Sequence, residues 1–303
     1  MAVSGACLSS NLQAKTPARD FTRRNFLCSS LAAASLGAPA LRGARGDLKL
    51  KIGVTDWTLN LGADPQAVPL AARLGFAGVQ LSFGRKLVDG KMPLDNPETI
   101  AQYLQLSKEH RIPIDGTCVD RLHDNGLKSD KQAPKWVSDS IRLTRALHTK
   151  VLLLPFFGRW AMTTRAEMDY TADALKELAP EAEKADVILG LEDTISAEDN
   201  VRIMERAGSK NVLVYYDVGN STEAGFDVVK EIRWLGKNRI CQFHFKDNPN
   251  YLGEGSIPFD RVLHTIRDMS FSGYANLETD SHPGMLEPDL RRNLMYIQQI
   301  SGY

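Results

Sequence analysis

Eight short apolar runs recur through this chain of 303 residues, at 48–57, 77–83, 112–119, 150–157, 186–194, 211–218, 239–247 and 273–280. Between them lie longer amphipathic stretches with apolar residues three and four apart, such as "DPQAVPLAARLGF" and "RAEMDYTADALKELAPEAEKA". Continuous apolar runs of this length read as strands buried on both faces, and the three-four spacing reads as helix. Strict alternation of the two calls for parallel pairing, because each helix carries the chain back to the starting edge of the sheet. Eight such units, with no second domain and no low-complexity linker, predict an α/β fold closed into a (β/α)8 TIM barrel. No GxGxxG follows the first strand, which disfavours an open dinucleotide-binding sheet. Glycines ahead of the next strand, as in "RLGFAGVQL" and "DMSFSGYANL", suit left-handed helix C-caps.

The first 45 residues read differently. Arg23 and Arg24 precede an Ala-rich apolar run from Phe26 to about Leu41. That run is shorter than the roughly 20 residues of a spanning helix, so no stable membrane anchor is expected. It fits a secretory h-region with "APA" at 38–40 as the cleavage site. "TRRNFL" resembles a twin-arginine signal, which implies the twin-arginine export machinery as a partner and a periplasmic or otherwise exported location. The expected division is a signal peptide and linker over 1–45 and one barrel over 46–303. Cys7 and Cys28 fall in the leader; Cys118 and Cys241 sit in strand-like runs and are expected as buried thiols without a disulfide framework.

With 37 basic and 37 acidic side chains the formal net charge is zero. Such a balance leaves no electrostatic footprint for nucleic acid. In a parallel barrel the chemistry sits at the C-terminal ends of the strands. The fifth run ends at Glu192 in "GLEDT", the sixth at Asp217 in "YYDVGN", the seventh at His244 in "FHFKD" and the eighth at Glu278 in "NLETD". Each alone has an ordinary account: a helix cap or ion pair for a carboxylate, a hydrogen-bonded core residue for His244. Together they place three carboxylates and an imidazole at equivalent heights, and burying three like charges without a cation costs several kcal/mol per charge. One divalent ion removes that cost. An O3N donor set suits Mn2+, Mg2+ or Co2+, and also accommodates Zn2+.

The series "LEDT…YYDVGN…FHFKDN…LGEGSIPF…NLETD" resembles the xylose isomerase-like barrel superfamily, which includes sugar (phosphate) isomerases and epimerases, inosose dehydratases and an endonuclease IV branch. The resemblance implies a metal-dependent sugar isomerase or epimerase acting on a small-molecule carbohydrate, with a homo-oligomer compatible with it. In its ketose 3-epimerase branch the ligands at the Glu192 and Glu278 positions are also acid and base, on opposite faces of the sugar, working through a metal-stabilised enediolate. Glu198 matches a substrate-contacting acid of that branch, although a surface helix carboxylate accounts for it equally. Glu254, between Gly253 and Gly255, either points into the site or belongs to a loop ahead of a helix capped near Asp260. Trp57 and Phe83 form either a wall for a sugar or part of the core. Arg85, His123 and Arg159 follow strand ends, where they either meet substrate oxygens or, more simply, are loop residues.

Two positions depart from the 3-epimerase pattern. Asn220 stands where that branch has a histidine, and "FKDNPN" lacks its arginine; Lys246, facing the same side as His244, is the candidate to replace that charge. Substrate and outcome therefore stay open between epimerisation, β-elimination on 3-keto glycosides or inososes by a lyase, and a sugar-binding barrel without turnover. Gln80, Thr117 and Asn220 stand where the endonuclease IV branch has histidines, which counts against a nuclease.

Overall fold

The computed structural model describes residues 49–302. The expected twin-arginine signal, with Arg23, Arg24, Cys7 and Cys28, lies outside them. No helix among the described residues is long and apolar enough to cross a membrane.

The first half of the chain runs β1 (Lys49–Thr55), α1 (Ala67–Leu74), β2 (Val79–Ser82), α2 (Pro97–His110), β3 (Ile114–Cys118), α3 (Ala133–Ala146), β4 (Val151–Pro155) and α4 (Arg165–Ala185). The second runs β5 (Ile188–Glu192), α5 (Ala197–Ala207), β6 (Val212–Asp217), α6 (Val218–Glu223), α7 (Val228–Leu235), β7 (Ile240–Phe245), α8 (Phe259–Asp268), β8 (Ser272–Leu277) and α9 (Leu286–Ser301). All eight strands pair in parallel and in chain order, and β1 closes on β8. Each expected strand exists, shorter by a few residues, because the apolar runs extend into buried loop ends such as Phe83 and Phe156.

Local chemistry fixes the helix ends. Thr164 and Glu167 form a reciprocal capping box at the start of α4. Asn96, Ser196 and Asp227 accept backbone N–H groups ahead of α2, α5 and α7. Gly75 closes α1 at φ 93°, as expected. Gly273 does not cap α8: it lies inside β8, where a side chain would meet the Phe271 ring at 2.9 Å. The left-handed residue there is Ser270, at φ 54°. Nor does Asp260 cap α8. It lies in the first turn of that helix, whose N-cap is Pro258.

Two β-bulges re-aim side chains inside the barrel. The register steps from Val79–Ile114 to Gln80–Gly116, leaving Asp115 as the extra residue of β3. It steps again from Val214–Ile240 to Tyr215–Gln242, leaving Cys241 extra on β7. A bulged residue drops out of the period-two alternation. That is why Asp115, out of step with Gly116 and Cys118, turns its carboxyl onto Gly53, Gly78 and Asn276. Cys118 and Cys241 are free thiols, the first buried and the second half-buried.

Candidate active site

Strand register brings the expected ligands level. Asp217 pairs directly with His244, His244 with Asn276 two residues before Glu278, and Glu192 closes β5 opposite Pro155. Glu192, Asp217, His244 and Glu278 converge, their nearest donor atoms all within 4.8 Å of one another. His244 Nδ1 lies 2.7 Å from Glu192 Oε1, 3.6 Å from Glu278 Oε2 and 3.8 Å from Asp217 Oδ2. Asp217 also caps α6, its Oδ1 accepting the Asn220 N–H at 2.9 Å. Its Oδ2 is buried without an aligned donor, although Lys246 Nζ lies 2.8 Å away.

The other ring nitrogen decides the tautomer. His244 Nε2 is 2.8 Å from Gln80 Oε1, which also accepts from the Tyr215 hydroxyl at 3.0 Å. A carbonyl oxygen only accepts, so the imidazole proton sits on Nε2 and the Nδ1 lone pair faces the carboxylates. Burial holds His244 below the ordinary imidazole range, against the pull of Glu278 and Asp217, and its Nδ1 lone pair faces the carboxyl oxygens. A divalent cation among the four ligands satisfies both, and the donor set fits it.

The carboxylates differ in environment. Burial pushes Glu192 above the usual range, and the charge of Glu278 adds to this. Burial also raises Asp217, against the pull of Lys246. For Glu278, burial is outweighed by His244 and Lys246, so its carboxyl is held low. Trp57 Nε1 donates to its Oε1 at 2.7 Å and Lys246 Nζ to its Oε2 at 2.6 Å. Burial opposes the Lys246 charge, but Asp217 and Glu278 hold it as an ammonium.

A cavity of about 450 Å³ opens over these groups, within the size range of small-molecule sites. Glu192, Glu278, Lys246 and Asn220 line it beside an apolar wall of Trp57, Pro155 and Phe157. Trp57 is thus wall as well as hydrogen-bond donor, whereas Phe83 is fully buried core. Arg85 and His123 also line the cavity. The Arg85 guanidinium is held by Asp124 at 2.6 and 3.0 Å, and His123 stacks on Phe157 with ring centroids 6.3 Å apart. Arg159 donates to the Asp124 carbonyl and does not reach the lining.

Two expected substrate contacts lie elsewhere. Glu254 is exposed, pairs with Arg292 and is not among the residues lining the cavity. Gly253 and Gly255 are required from beneath, since side chains there would collide with Tyr296 and the Asp247 carboxylate. Glu198 is exposed on the first turn of α5 and is not among the lining residues.

Asp120 was not legible as a site residue, yet it lines the cavity. Its Oδ1 accepts the Phe83 N–H at 3.1 Å, and burial raises its carboxyl to about 6 against its backbone donors. It follows β3 as Lys246 follows β7, so the strand-end rule extended past the apolar run reaches it.

The sequence model of a family described as xylose isomerase-like TIM barrel matches residues 68–300. A 2-epi-5-epi-valiolone 7-phosphate 2-epimerase of Actinoplanes sp. is 27% identical over 259 residues, covering 79% of this chain and 92% of the relative. Among solved structures, D-psicose 3-epimerase from Clostridium cellulolyticum H10 superposes with TM-score 0.71 at 15% identity, over 83% of this chain and 99% of that one. A 3-keto-D-glucoside 4-epimerase from E. coli does so with TM-score 0.69 at 17% identity, over 83% of this chain and 100% of that one. At these identities the two structures establish likeness of fold.

Proposed function

The chain belongs to the xylose isomerase-like TIM barrel family, and from that premise we propose that it is a divalent-metal-dependent sugar epimerase or isomerase. The convergence of Glu192, Asp217, His244 and Glu278 carries the reading. Those four residues would hold the ion. When bound, it supplies positive charge beside a substrate carbonyl, which acidifies the neighbouring C–H.

The chain's own residues divide the rest of the work. Glu192 on β5 and Glu278 after β8 both border the cavity from separated strands. Carboxylates so placed can remove a proton from one side of a carbon and return it from the other. Trp57 and Lys246 fix both oxygens of Glu278, so its orientation is set before substrate arrives. Lys246 and the Asn220 amide offer donors to substrate oxygens, in place of an arginine and a histidine. The apolar wall excludes water from the reacting carbon. Identity with the Actinoplanes epimerase over most of both chains supports proton transfer as the reaction class. The Arg23–Arg24 pair and the apolar run after it support an exported enzyme.

The test is solvent deuterium incorporation next to the carbonyl of keto sugars by the metal-loaded chain. Glu192→Gln and Glu278→Gln should each slow exchange by about 10²–10⁴-fold, the usual worth of general acid–base groups, with circular dichroism unchanged. Wild-type exchange in either variant overturns the two-carboxylate mechanism.

A further inference from the structure

Two cavities open onto the reacting groups. Beside the first lies a second of about 610 Å³, lined by Thr58, Asn60, Asn248, Thr279, Asp280 and Ser281. Trp57, Lys246 and Glu278 line both, so the two meet at the carboxylate that handles the proton. The first cavity is already large enough for a small ligand by itself.

Their walls differ in chemistry. Trp57, Pro155 and Phe157 give the first an apolar face; hydroxyls and amides dominate the second. Ser281 contributes to this wall, although its Oγ is itself buried without a hydrogen-bond partner. Asn248 uses its Oδ1 to accept the Asp280 N–H at 2.9 Å, which leaves its amide N–H groups to donate. Trp57 stands at the junction with its ring orientation pinned by Glu278.

Charge excludes a phosphate. Among the described residues lining the second cavity, Lys246 is the single cation, and Asp217 and Glu278 already hold it. Asp280 adds a further carboxylate. Leu286, the first residue of α9, also lines this cavity, but that first turn carries Glu287 and Asp289 and no guanidinium is in the lining, so a neutral polyhydroxylated group avoids the repulsion.

We infer that the second cavity is a subsite for a second sugar unit joined to the keto sugar, so that the substrate is glycosylated. This rests on the epimerase reading above. The same metal-loaded chain is given fructose, fructose 6-phosphate and lactulose, a ketose carrying a second sugar. Lactulose should exchange deuterium with kcat/KM at least about tenfold above fructose, mainly through KM, since a well-placed polar contact contributes roughly 1–1.5 kcal/mol. Ser281→Trp, which fills the second cavity, should bring that ratio toward one while the melting curve stays cooperative. Equal or better use of fructose overturns the subsite and leaves the epimerase reading standing. Preference for fructose 6-phosphate overturns it in favour of an anion site. If no sugar exchanges deuterium, the epimerase reading fails, and ligand-detected NMR decides the subsite alone. Lactulose binding lost in Ser281→Trp supports it, and binding equal in both proteins overturns it.

Discussion

A single amide oxygen sets up the site. Gln80 Oε1 receives His244 Nε2, the Tyr215 hydroxyl and, more distantly, Asn276 Nδ2 at 3.4 Å. None of these residues is charged, yet the arrangement decides which imidazole nitrogen keeps its lone pair. Partners of this kind are typically worth 10–100-fold in metal affinity. Gln80→Ala should therefore weaken Co2+ binding by roughly that factor, read from the cobalt absorption band as the ion is titrated. Gln80→Glu keeps an acceptor facing Nε2 and should stay much closer to wild type. Unchanged affinity in the alanine variant would remove Gln80 from this role. Glu254 teaches the converse. A carboxylate between two glycines looked positioned for substrate, but both glycines are dictated by packing against Tyr296 and Asp247, contacts that the glycine spacing does not encode.

At the level of the strand, the position where each apolar run ends did most of the predictive work and bulges limited it. The second-half strands are largely apolar until they emerge, so a charged or imidazole side chain closing the run marks the mouth of the barrel. Glu192, Asp217, His244 and Glu278 were legible for that reason. Asp115 was not, because the bulge in β3 turns a nominally out-of-step residue inward, and pairing register is not written in one strand alone. Its carboxyl is raised to about 8 by burial, opposed only by the Asn276 amide. Asp115 Oδ2 and Asn276 Oδ1 are both buried without partners beside Gly53, and a neutral Asp115 carboxyl adds a donor among these acceptors. The unfolded carboxyl titrates near its ordinary 3.8 and the folded one near 8. Between those values the unfolded chain has released a proton that the folded chain retains. This contribution to stability is thus fully present below about pH 4 and is lost as pH rises through about 8. Asp115→Asn keeps an acceptor for Asn276 and cannot ionise. Its unfolding free energy should fall less steeply than wild type across that window, by an amount on the order of a few kcal/mol. Parallel urea-derived profiles for the two proteins would dismiss the neutral-acid assignment.

For the whole barrel, the cluster joins strands that the sequence separates widely. Ligands come from β5, β6, β7 and the end of β8, and Gln80 extends the contacts to β2. Closure of β1 on β8 leaves the sheet no free edge, so these strands cannot separate without breaking the barrel. An ion bound only by the folded state must then stabilise the molecule as a unit. It also neutralises buried carboxylates that otherwise oppose folding, since Glu192 and Asp217 are both strained toward protonation by desolvation. At free ion about a hundredfold above Kd the gain is about 2.7 kcal/mol. For a domain of this size that corresponds to a rise in Tm of roughly 5–10 °C. Chelation should lower Tm by that amount and re-addition of Mn2+ or Co2+ should restore it. Asp217→Asn should erase most of the increment, because it removes a ligand while retaining an acceptor for the α6 cap. A Tm indifferent to both chelator and ion in the wild-type chain would mean that the four side chains form a proton-sharing polar cluster, with Lys246 as its only cation.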